Sequence, residues 1–121
     1  MSLQSAAELM HLIDAQLAHV WMVRAFLKHS EEAAEDDELA EVHRELYDYM
    51  LALGGPLKEG NADEYLKLAR KKLAKLKRAT ERFVEIQPEV SQHTNFFMAA
   101  TSLTTAVTEV SRLLDESAAA K

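Results

Sequence analysis

Apolar residues recur along most of this chain at three- and four-residue steps, the spacing that lines one side of an α-helix. Over about residues 5–29 the repeating set is Leu9, Leu12, Ile13, Val20, Val23 and Leu27, with Gln16 among them. Ser5 followed by Glu8 supplies the capping box that opens such a helix. A second set, Leu39, Val42, Leu46, Tyr49, Met50 and Leu53, predicts a helix over about 38–53. Gly54-Gly55-Pro56 should close it, since glycine accepts a left-handed cap and proline cannot extend the ladder. The acidic run from Ser30 to Asp37 reads as the connection before it, suited by its carboxylates to a helix start.

Asn61 with Glu64 marks the next start. Tyr65, Leu66, Ala69, Leu73, Leu76, Thr80, Phe83 and Val84 then carry the core stripe of a helix over about 62–87. Pro88 predicts a sharp corner. The last helix spans about 89–115, buries Phe96, Ala100, Leu103, Val107, Val110 and Leu114, and leaves Ser117 to Lys121 as a frayed end. Four amphipathic segments joined by short links predict an all-α fold, a single-domain antiparallel up-down-up-down four-helix bundle over residues 1–121. In that topology the first helix lies beside the second and fourth, and so does the third.

Within this pattern one stretch stands apart. Val90 to Thr108 contains no Asp, Glu, Lys or Arg, although charged residues make up 28% of the chain. Opposite its core stripe the last helix carries Thr94, Thr101, Thr105 and Thr108, flanked by Asn95, Ser102 and Met98, where a water-facing helix normally shows Glu and Lys. The first helix has a matching second stripe. His11, Ala15, Ala18, Met22, Ala25 and His29 follow heptad-like steps on the side away from its core. The two charge-poor helices are neighbours in the bundle, so together they form a candidate face for another copy of the chain. The residues expected to carry that homodimer contact are Ala15, Ala18, Met22, Ala25, Phe97, Thr101, Thr105 and Thr108.

Charge changes the picture on the other side. The formal net charge is −6, which argues against nucleic acid as the obvious partner. Between Lys67 and Arg82, however, eight basic residues meet one acid. Lys67, Lys71, Lys75, Arg78 and Arg82 therefore form an alternative anion- or nucleic-acid-binding face. The acidic tract from Glu31 to Asp48, on the neighbouring helix, offers those cations an internal counterpart. No interleaved aromatic platform or glycine-rich loop accompanies them.

Glu8 and His11 have the Glu-x-x-His spacing of di-metal carboxylate bundles, and with His43 and His93 they make an alternative metal set. A second Glu-x-x-His is absent from the sequence, so no metal or cofactor is expected. His93-Thr94 in a helical bundle of this size resembles histidine phosphotransfer domains in size and architecture. Those domains carry Lys and a small Gly after the histidine, where this chain has Asn95-Phe96-Phe97, so membership is not expected. With 0 cysteines, thiolate metal sites and thiol nucleophiles are excluded. No phosphate loop or nucleophile elbow is present, and the expectation is a cytoplasmic, non-enzymatic protein that acts through protein contacts.

Overall fold

A computed structural model describes residues 5–119, with side chains as far as 116. The described residues are all helical in their regular structure: α1 (Ala6–Lys28), α2 (Glu31–Glu35), α3 (Asp37–Glu59), α4 (Ala62–Lys71), α5 (Leu73–Val90) and α6 (Thr94–Ala119). None of these helices is long and apolar enough to cross a membrane. α1 packs against α3 and α6, and α5 packs against the same two helices. α4 leans across to meet α1 and α3. Ile13, Leu17 and Val20 of α1 are fully buried against a common core with Leu46 of α3, Phe83 of α5 and Leu103 of α6.

Local chemistry sets most of the helix starts. Ser5 Oγ accepts from the Glu8 N–H at 3.1 Å, and the Glu8 carboxylate accepts from the Ser5 N–H at 3.3 Å, completing the capping box. Ser30 donates its hydroxyl to Leu27 O at 2.7 Å and accepts from Ala33 N–H at 3.1 Å, so one side chain ends α1 and begins α2. Asp36 starts α3 in the same way, accepting from Leu39 N–H at 3.0 Å. Asn61 starts α4 through Glu64 N–H at 3.1 Å.

The proline signals act differently from the expectation. α3 runs through Gly54-Gly55-Pro56 to Glu59, because Leu57 continues the apolar face one turn beyond the buried Leu53. Proline's own φ suits a helix, and Pro56 costs one missing donor and the crowding of its ring against the preceding turn. The true stop is Gly60, at φ 69° and ψ 22°, a left-handed cap that disfavours any side chain. Pro88 is likewise carried inside the last turn of α5, and the corner falls at Ser91–His93, where Ser91 is extended. Buried Gln87 ties that corner down by donating from Nε2 to Ser91 O at 2.8 Å.

The single helix expected over 62–87 is divided at Lys72, whose φ and ψ are −101° and 1°. α6 starts at Thr94 rather than 89 and continues to Ala119. Of the frayed end expected from Ser117, Ala120 and Lys121 lie outside the described residues. Two side chains placed in the core stripe by periodicity are instead substantially exposed, Leu12 at 41% and Val84 at 45%. Each sits toward the edge of its helix's buried arc, and α1 turns Met10 and Leu17 inward instead.

Replacing Gly60 with Ala should lower stability by about 1 kcal/mol through the left-handed strain. Pro56→Ala should raise it by about 1 kcal/mol, the restored helical bond being partly offset by a freer unfolded chain. Thermal unfolding followed by circular dichroism checks both signs.

Candidate interaction face

The buried arc of α1 is centred on Ile13, Val20 and Leu27, and helix geometry therefore turns the His11-to-His29 stripe directly away from it. His11, Ala15, Ala18, Met22 and His29 are exposed, with Met22 at 66%, while Ala25 is half-buried. Four small or flexible side chains lie between two exposed histidines. A surface of this kind lets a second helix come close, since alanine adds little bulk beyond the backbone.

α6 carries a second uncharged face, whose Thr94 and Phe97 border Gln87 and Pro88 of α5 and whose Thr108 borders Lys77 and Glu81. Near the end of α1, the Phe26 ring meets Phe96 near the start of α6 edge-to-face, with centroids 4.9 Å apart and planes at 62°. The two helices are thereby paired in antiparallel sense. Beside buried Phe96, Phe97 is 60% exposed and Met98 55% exposed, and Thr94, Thr101, Thr105 and Thr108 are also exposed. Thr101 donates its hydroxyl to Phe97 O at 3.2 Å. That bond satisfies the hydroxyl within the helix and makes the face less polar than its sequence suggests.

The uncharged region ends abruptly at Glu109 and Arg112. Arg112 bonds Glu109 and pairs with Glu116 at 2.9 Å. Its hydrogen bond holds the Glu109 carboxyl below the usual carboxylate range.

The alternative basic set does not form one uniform strip. Lys67, Lys71, Lys75 and Arg78 are exposed, but the break at Lys72 divides them between α4 and α5. Arg82 is half-buried and lies 3.4 Å from Glu41 and 3.9 Å from Glu38, so the acidic tract reaches this end of the series.

The alternative metal set is scattered. Glu8 is engaged in the α1 cap and His11 points from the exposed stripe. His93 lies before α6 rather than on it, and its Nδ1 accepts from the Asn95 N–H at 3.0 Å. His43 is half-buried, and burial together with Arg44, Arg24 and Lys28 pushes its pKa below the ordinary value. Surroundings this cationic also oppose a divalent ion. Among the described residues no three His, Cys, Asp or Glu side chains converge as a metal site.

Sequence periodicity gave no notice of an aromatic contact on the other flank of α1. Trp21 and Tyr47 of α3 approach with centroids 6.3 Å apart. The pairing of α1 with α3 creates this contact, and neither residue has a distinguishing local motif.

No protein-family model, curated protein or solved structure matches the chain.

The lowered pKa of His43 gives a definite pH dependence. Its unfolded-state value is about 6.5, so below that pH the unfolded chain takes up a proton that the folded ring resists, and stability falls as pH drops. His43→Gln should lose less stability than the wild type between about pH 7 and pH 5.5. Urea unfolding at the two pH values measures the difference, and equal losses in both proteins would contradict the assignment.

Proposed function

We propose that the chain is a non-enzymatic protein-interaction domain, in which α1, α3, the α4–α5 pair and α6 act as the four rods of an up-down bundle. It pairs with a second copy through the outward faces of α1 and α6. The observation that carries the reading is the symmetry of the exposed stripe on α1. Reflected about Val20, His11 exchanges with His29, Ala15 with Ala25 and Ala18 with Met22.

A two-fold contact brings the same surface of both partners together in opposite senses, which a stripe of this pattern satisfies. Such a crossing brings His11 of one copy toward His29 of the other. The exposed Met22, Phe97 and Met98 supply apolar area, and the absence of charge over Val90 to Thr108 avoids stranding an ion in the contact.

The available area is sufficient. α1 has 23 residues and is about 35 Å long. Two adjoining helices, each about 10 Å wide, can cover on the order of 700 Å² per copy, and stable pairs bury about 1,200 Å² or more in total. Alanine and threonine bring the partner backbone near, while the two methionines adapt their shape to whatever gap is left.

Solution mass, measured by light scattering behind size exclusion over a range of concentrations, tests this directly. Wild type should run as a dimer, and Ala18→Glu as a monomer with an unchanged helical spectrum, because it buries an unpaired carboxylate against Met22 of the other copy. A wild-type monomer at every concentration sinks the proposal.

A further inference from the structure

On the α3 side of α1, away from the proposed dimer face, the helices leave an open groove of about 320 Å³. Its walls include Trp21, Tyr47, Leu51, Gly54 and Leu57, and its one charged side chain is Asp14. We propose that this groove binds a small organic ammonium ion with an apolar body, its cationic head on Asp14 and its body along Trp21 and Leu51. The inference does not rest on self-association.

The head group follows from the charge. Asp14 is half-buried, and its Oδ1 accepts from the fully buried phenol of Tyr65 at 3.4 Å. The phenol approaches from the core and orients the carboxylate, whose further lone pairs remain able to accept from an ammonium group. A carboxylate in an otherwise apolar groove favours a cation over a neutral or anionic ligand, because it attracts the one and repels the last.

The body follows from the walls. Trp21 lies seven residues beyond Asp14 in α1, two turns or about 10 Å along the axis, which suits a short alkyl or arylalkyl chain. Leu51 stands at the rim with 63% of its surface exposed, apolar area that a ligand would cover. The far end of the wall already holds a cation of the chain's own. The Arg24 guanidinium carbon is 4.6 Å from the ring centroids of both Trp21 and Tyr47. The guanidinium therefore closes the aromatic end of the groove at the level of Trp21.

Gly54 lines the same groove, whereas Gly55, equally free of close neighbours, does not. Gly54 sits inside α3, where glycine weakens a helix relative to alanine. Its φ is not positive, and a Cβ built there meets no atom within 4 Å. Neither backbone conformation nor packing within the chain calls for glycine at this place. What its missing side chain provides is room in the groove that Asp14 also lines.

The chain has 1 tryptophan, so Trp21 fluorescence reports the groove alone. Titration with 3-phenylpropylammonium at neutral pH should give a saturable change, and the neutral 3-phenylpropanol should bind about tenfold or more weakly, as expected for losing a charge-assisted hydrogen bond. Asp14→Asn should weaken amine binding by a similar factor. Gly54→Ala should raise the melting temperature yet reduce amine affinity, a combination that general destabilisation cannot produce. No saturable change, equal affinity for the alcohol, or unaltered binding by folded Asp14→Asn or by Gly54→Ala each overturns the proposal. Should Asp14→Asn fail to fold, the alcohol comparison and Gly54→Ala decide it.

Discussion

A phenol buried as completely as that of Tyr65 costs about 1–3 kcal/mol if its hydroxyl is left unpaired. Asp14 supplies the partner from α1, and the buried Tyr49 hydroxyl makes the corresponding bond from α3 to Ala69 O at 3.0 Å. α4 is therefore held from both sides, by one bond to α1 and one from α3. Burial pushes both phenols well above their ordinary pKa, and Asp14 adds to the effect on Tyr65, so each remains a donor at any ordinary pH. With α4 fixed in this position, the rest of the rod has to step aside at Lys72 before α5 can lie between α3 and α6.

These bonds also divide the surface by chemistry. Charge is concentrated on α2, α3, α4 and α5, where Arg82 reaches Glu38 and Glu41 across the helix boundary. α1 and the first half of α6 face outward with alanine, threonine, methionine and phenylalanine, together with His11, His19 and His29. Both surfaces are helical, but they differ in what they can exclude. Charged side chains retain water at little cost, whereas the α1 and α6 faces lose water readily when an apolar surface covers them.

How much of this was readable in the sequence depends on how local each cause is. The caps at Ser5 and Asn61 were legible because their hydrogen bonds span three residues, and the α6 core stripe because every member fell within one arc. The outward placement of Ala18, Met22 and Thr105 followed from the same periodicity. The passage of α3 through Pro56 was not legible, since Leu57 rewards it only once the core exists. Leu12 and Val84 were misplaced because a stripe's edge residues are buried or exposed according to the angle of the neighbouring helix. The groove at Asp14 was hidden for a related reason. Its parts lie on two helices and meet only through the pairing of α1 with α3.

The division at Lys72 has an electrostatic consequence. It turns one rod into two dipoles placed head to tail, with the negative end of α4 next to the positive end of α5. Arg70 and Lys71 complement the closing turn of α4. The opening turn of α5 has no side-chain cap and no acid, and it carries Lys75, a charge of the unfavourable sign. The same run of positive residues thus strengthens one half of the rod and weakens the other. The first turn of α5 is therefore held by the burial of Leu76 and the packing of Leu73 rather than by any cap, with α4 anchored separately through its two tyrosine contacts.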